Sequence, residues 1–69
     1  MARGKVNFYD GSRGFGFITS DAGGHDVFFH VKELKSSGVE TVDKGQPVNY
    51  ETKEDRGRIA ATNIRILEP

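Results

Sequence analysis

Two short segments gather the side chains best suited to chemistry: Arg13-Gly14-Phe15-Gly16-Phe17-Ile18 and Val27-Phe28-Phe29-His30. A strand points successive side chains to opposite faces. In the first segment Ile18 is the natural core residue and Gly16 shares its face, so Phe15 and Phe17 share the other. In the second, Val27 and Phe29 point inward with Val31, and Phe28 and His30 point outward. Paired as a hairpin, the segments collect Phe15, Phe17, Phe28 and His30 on one outer surface, with Phe8 in the preceding segment placed to join them. Shifting the parity by one would bury His30 and expose Ile18, Val27 and Phe29, a poorer division. Several exposed aromatics on one face are rare unless used. Flat rings stack on nucleobases at about 1–3 kcal/mol per base, so three contacts supply roughly 3–9 kcal/mol before ordering costs. That reaches micromolar binding, near −8 kcal/mol, at about the upper end of the range. Lys5, Arg13 and Arg56 are basic residues able to rim such a surface and meet phosphates, with Arg58 the weaker candidate.

Other chemistries find little support. The sequence has no cysteine, which excludes disulfides and thiolate-ligated zinc and fits a reducing compartment. His25 and His30 are the only histidines and have opposite parity, so no metal site is expected. Ser12, Ser20, Ser36 and Ser37 fall in turns or at strand ends without a positioned base, so no catalytic nucleophile is expected. Gly14-x-Gly16 is followed by Thr19 and no helical pattern, so it is not a phosphate loop and implies no nucleotide cofactor. Ten basic and ten acidic side chains give zero net charge. Bulk attraction to a polyanion is therefore weak, and a reader of nucleic acid must distribute its charges unevenly or depend on stacking. No apolar run approaches the roughly 20 residues of a membrane span. The start, Met1-Ala2-Arg3-Gly4-Lys5, carries no signal-peptide pattern. A soluble, cytoplasmic protein is expected.

The elements that must position these residues are short. The chain has 69 residues, one domain over 1–69, with a core that buries only about 60% of the unfolded surface. Strands are predicted over 4–9, 15–20, 26–31, 47–53 and 58–67. They are separated by turns at Asp10–Gly14, Asp21–His25, Asp43–Gln46 and Glu54–Gly57. Lys32–Lys35 can form one helical turn, ended by Ser36-Ser37-Gly38, and with Ser36-Ser37 is most simply a solvated connector, while Val39 and Val42 give the longer stretch some apolar anchoring. Pro47 suits a strand's first position. Val48, Tyr50 and Thr52 share a face. In the last strand Ile59 and Ala61 share one parity and Ile64 and Ile66 the other; for both halves to face inward, a bulge is required near Thr62-Asn63. Five strands with one long connection suit an all-β, five-stranded antiparallel closed barrel, an OB-fold-like Greek key without exposed edges.

Gly4 to Ile18, Asp26 to His30, Gly45-Gln46 and Ala61-Thr62-Asn63-Ile64 together resemble a bacterial cold-shock domain across nearly the whole chain. Arg13–Ile18 resembles that family's Lys-Gly-Phe-Gly-Phe-Ile, and Val27–Val31 resembles its Val-Phe-Val-His-Phe. The resemblance implies an OB-like barrel that binds single-stranded RNA and DNA with little sequence preference and acts as an RNA chaperone and regulator of transcription or translation. It implies Phe8, Phe15, Phe17, Phe28 and His30 as stacking groups, and Lys5 and Arg56 as polar or phosphate contacts. It implies no enzyme activity, cofactor or small-molecule substrate; a monomer is expected. The chain departs from the family pattern at Phe8 (usually tryptophan), Asn7 (lysine), Asp10 (asparagine), and Val31 and Val39 (often phenylalanine). All five departures point to weaker or shorter-footprint binding. Phe29 for valine and Tyr9 for phenylalanine read as repacking. A rival of another class is a barrel whose aromatic face docks a peptide or partner protein.

Overall fold

Strand-forming segments joined by glycine-bearing turns produce β1 (Ala2–Asp10), β2 (Phe15–Ser20), β3 (Val27–His30), α1 (Val31–Ser36), β4 (Pro47–Asp55) and β5 (Arg58–Ile66). The computed structural model describes residues 2–24, 26–39 and 41–67. His25, considered above as a metal ligand, lies outside the described residues. The strand order β1-β2-β3-β5-β4 closes into a barrel through the β1–β4 pairing. Four seams are antiparallel. The fifth, β3–β5, is a parallel bridge at Phe28 and Ala60. Pro47 opens β4 opposite Lys5, where its missing N–H does least harm.

The expected parity of the central hairpin is found. Ile18, Val27 and Phe29 are buried, and Gly16 stands opposite Phe29. The core is completed by Val6, Leu34, Val42, Val48, Tyr50, Ala61 and Ile64.

The bulge expected in β5 is present. Asn49 pairs with Arg65 but Glu51 pairs with Thr62, so β5 carries one extra residue there. Asn63 takes it up with φ 49°, a left-handed conformation that asparagine tolerates better than most residues. Ile64 is buried beyond the bulge and Ala61 before it. Ile59 departs from expectation: it is 52% exposed. Thr52, which shares a parity with the buried Val48 and Tyr50, is exposed as well. The physical reason is that β4 runs past its last pairing with β1 at Tyr50, which leaves Thr52 at an uncovered edge, and that β5 starts before its bridge to β3 at Ala60, so the ends of the two strands form a ribbon with no inner face. Glu54–Ile59 and Asp55–Arg58 pair along it. Its tight turn has φ 54° at Arg56 and 77° at Gly57, the positive pair a type I′ hairpin needs.

The connection after β3 also differs. Alternation would carry Val31 inward as part of the strand; it begins α1 instead. Val31 N–H still donates to Gly14 O (2.8 Å) in the register of the ladder, and the strand stops there because the His30 ring caps the new helix. Gly38, at φ 79°, and the bond from Val39 N–H to Leu34 O (2.8 Å) end it. The segment is more than a solvated connector. Leu34 is buried, and the expected anchoring is found, with Val42 buried and Val39 packed on the core. Glu33 accepts from Thr62 Oγ1 (2.6 Å) and pairs with Lys53 Nζ (3.2 Å). The Thr62 hydroxyl first, and then Lys53, hold its carboxyl below the usual range against the opposing effect of burial. No described helix is long and apolar enough to cross a membrane.

Candidate functional site

Gly4, Val6 and Phe8 share one parity in β1, and Gly4 and Val6 are buried. Simple alternation would bury Phe8 with them. A second bulge prevents this. Val6 pairs with Ile18 but Phe8 pairs with Phe17, so Asn7 is an extra residue, and such an insertion re-aims the side chains beyond it. Phe8 turns outward and is 44% exposed. Tyr9 turns inward and stacks on Phe29, with centroids 5.9 Å apart and planes 10° apart. Asp26 clamps the bulge, accepting from Asn7 Nδ2 (2.9 Å) and Thr19 Oγ1 (2.9 Å). The sequence hides this bulge because no change of hydrophobic parity between Val6 and Phe8 announces it.

Across the β2–β3 seam, Phe15 pairs with His30 and Phe17 with Phe28. These outward residues and Phe8 form one continuous surface. Phe8 lies 5.7 Å from Phe15 and 6.4 Å from Phe17 between centroids. Phe15 and Phe17 meet edge-on at 6.0 Å. Phe28 stacks on Phe15 at 6.0 Å and meets Phe17 edge-on at 5.9 Å. Mutual contact leaves Phe15, Phe17 and Phe28 half-buried with their outer portions free. His30 is exposed, and its Nδ1 accepts from Lys32 N–H (3.1 Å). That bond assigns the ring proton of the neutral form to Nε2, leaving an outward donor.

The rim is less uniform. Lys5 is exposed opposite Thr19, one outward row beyond Phe17. Arg13 sits in the β1–β2 turn with its Nε 3.6 Å from Asp10 Oδ2, so its charge is partly engaged. Asp10 Oδ1 accepts from Ser12 Oγ (2.7 Å), Ser12 N–H (3.0 Å) and Arg13 N–H (3.2 Å). The Ser12 hydroxyl, followed by the Arg13 backbone N–H, holds its carboxyl below the usual range. Asp10 therefore builds the turn as well as placing charge beside Phe15, its cross-strand neighbour. Arg56 stands at the ribbon tip. Arg58, the weaker candidate by sequence, lies over the Phe28 ring with Cζ 5.8 Å from its centroid. Lys32, assigned above to a solvated connector, lines a groove with Phe28, Arg56, Arg58 and Ala60. The β3–β5 bridge, remote in sequence, brings Arg56 and Arg58 to Phe28, whereas Lys32 follows β3 directly on α1.

The arrangement offers rings for stacking, one imidazole donor and scattered cations. Among the described residues no cluster of metal-ligating side chains occurs. Residues 2–67 match the family model described as the 'Cold-shock' DNA-binding domain. The chain is 40% identical over 67 residues to a cold shock-like protein CspA of Stigmatella aurantiaca, covering 97% of this chain and 98% of that one. It is 39% identical over 66 residues to a cold shock-like protein of Thermotoga maritima, covering 96% and 98%. A cold shock-like protein of Aquifex aeolicus is 37% identical over 65 residues, covering 94% and 93%.

Proposed function

The chain belongs to the family of 'cold-shock' DNA-binding domains, a nucleic-acid-binding family, and from that premise we propose that it binds single-stranded RNA and DNA with little sequence preference, as an RNA chaperone and regulator of transcription or translation. The observation that carries this reading is the unbroken contact of Phe8, Phe15, Phe17 and Phe28 on one outer face of the barrel. Every base has a π-face, so such a surface takes any sequence. Bases splayed onto the rings compete with intramolecular pairing, and weak RNA structure melts without nucleotide hydrolysis. His30 stacks and donates from Nε2. Lys5, Arg13 and Arg56 meet phosphates. The protein acts as a cytoplasmic monomer, with no catalytic step and no small-molecule substrate.

Affinity is lower than a fuller platform would give. Phe8 offers a smaller ring than tryptophan and no indole N–H. Asn7 carries no charge and is engaged with Asp26. Val31 and Val39 supply no rings, and Val39 packs on the core. A titration of labelled oligo-dT and oligo-U at two salt concentrations tests the reading. Three phosphate contacts give a log–log slope of about −2, at roughly −0.7 per contact for single strands. Failure to bind either oligonucleotide at high micromolar protein refutes it and leaves the aromatic face to a protein partner.

A further inference from the structure

Zero net charge poses a question for any reader of a polyanion: where does this chain concentrate its positive potential? The rim cations are dispersed, and Arg13 is engaged by Asp10. The described ion pairs join Arg3 to Asp21, Arg13 to Asp10 and Lys53 to Glu33. One place differs. Where the β4–β5 ribbon leaves the barrel, a groove of about 500 Å3 runs from Phe28 and is lined by Lys32, Arg56, Arg58 and Ala60. Among the residues whose side chains are described, none of those lining it is acidic. Glu33 borders the smaller adjoining hollow beside His30, but Thr62 and Lys53 already occupy its carboxylate.

We propose that this groove is a phosphate-gripping extension of the aromatic platform, which takes the backbone of the nucleotides that run on past Phe28. The proposal rests on the single-strand reading above and adds Arg58 and Lys32 to the binding residues. The groove begins at a platform ring, so a strand stacked on Phe28 enters it without a turn. Its walls carry two guanidinium groups, whose planar forks suit phosphate oxygens, and one ammonium. Arg58 is oriented in advance because its guanidinium rests over the Phe28 ring. Arg56 and Gly57 form the two-residue turn and Arg58 opens β5 directly after it, so the two guanidinium groups spring from backbone positions two residues apart. A chain that has lost charge near β1 thus gathers it at the far side of the platform.

The test compares the full-length protein with its Lys32→Gln/Arg58→Gln double variant on two labelled oligo-dT strands. One has about 4 nucleotides, enough for the rings, and the other about 9, within the footprint range of one such barrel. The expected result is an affinity loss of about tenfold for the longer strand, with its salt slope shallower by about 1.4 (two contacts at roughly 0.7), and little change for the shorter. Arg58→Lys should keep the slope while Arg58→Gln does not. Equal weakening of both strands would overturn the groove, because Arg58 would then act only through Phe28. Unchanged affinity for both would also overturn it while leaving the platform reading intact. If the unsubstituted protein binds neither strand, platform and groove fall together.

Discussion

Gly16 and Phe29 face each other across the β2–β3 seam, and a Cβ on Gly16 would stand 2.5 Å from Phe29 Cζ. The missing side chain is what admits the Phe29 ring. This buried pair lies between the two outward pairs, Phe15–His30 and Phe17–Phe28. It therefore keeps the candidate binding rings in register from beneath, and it couples core packing directly to the surface.

Gly16→Ala should destabilise the protein by about 1–3 kcal/mol, as overpacking does. The added methyl would also press on the Phe8 carbonyl oxygen. For a domain of this size each kcal/mol lowers the melting temperature by about 4–8 °C. Adding Phe29→Val should restore part of the loss by making room. Thermal unfolding of the two variants checks this; an unshifted melting temperature for Gly16→Ala would mean that the close approach is not real.

The Asn7 bulge is held by Asp26, so Asp26→Ala should let Phe8 wander. Each lost hydrogen bond is worth about 0.5–1.5 kcal/mol, and oligo-dT affinity should fall roughly two- to tenfold on that scale. A double-mutant cycle with Phe8→Ala locates the effect. In the Phe8→Ala background the Asp26 substitution should change affinity little. An equal loss in both backgrounds would show that the clamp does not act through Phe8.

Much of the fold is legible in the sequence, and the exceptions have physical causes. The barrel, the division of the central hairpin into buried and outward residues, and the β5 bulge all follow from alternation, because Ile64 and Ala61 differ in parity. The β1 bulge leaves no such trace, since Val6 and Phe8 share a parity and only pairing with β2 separates them. Ile59 and Thr52 escape the parity rule because alternation does not tell where a strand leaves the barrel. The same ribbon hides the approach of Arg58 to Phe28, and the unforeseen helix start at Val31 hides that of Lys32. The capping bond of His30 replaces Val31's expected strand position with a helix start, which composition alone does not reveal.

Asp10→Asn should tighten binding. The amide oxygen keeps an acceptor for the Ser12 and Arg13 donors, while the negative charge beside Phe15 disappears and Arg13 is released toward the ligand. The salt slope should steepen by about 0.7, one further phosphate contact. Asp10→Ala, which loses the turn acceptors too, should not reproduce the gain. An unchanged slope for Asp10→Asn would place both residues outside the footprint.

Glu33 governs part of the acid sensitivity. Its folded pKa lies below its unfolded value, with the Thr62 hydroxyl the main cause and Lys53 the next. The unfolded chain therefore binds more protons in acid, and stability rises with pH through that range. The contribution is complete above ordinary glutamate values of about 4.3 and is lost as pH falls through the depressed folded value. Glu33→Gln should be less stable than the unsubstituted protein at neutral pH, and the two should converge in acid. Parallel melting-temperature curves from neutral to acid pH would contradict this.

The central claim is that the rings of Phe8, Phe15, Phe17 and Phe28 serve binding rather than folding. Phe17 is its best probe, since it touches both Phe8 and Phe28 on the outer face. The measurement is the oligo-dT affinity and melting temperature of Phe17→Ala beside those of Phe29→Ala. For Phe17→Ala the account predicts an affinity loss of about 1–3 kcal/mol, roughly 5- to 150-fold, with a small thermal shift. Phe29→Ala should cost about 3–5 kcal/mol of stability. A thermal loss for Phe17→Ala as large as that for Phe29→Ala, or an unchanged affinity, would contradict the account.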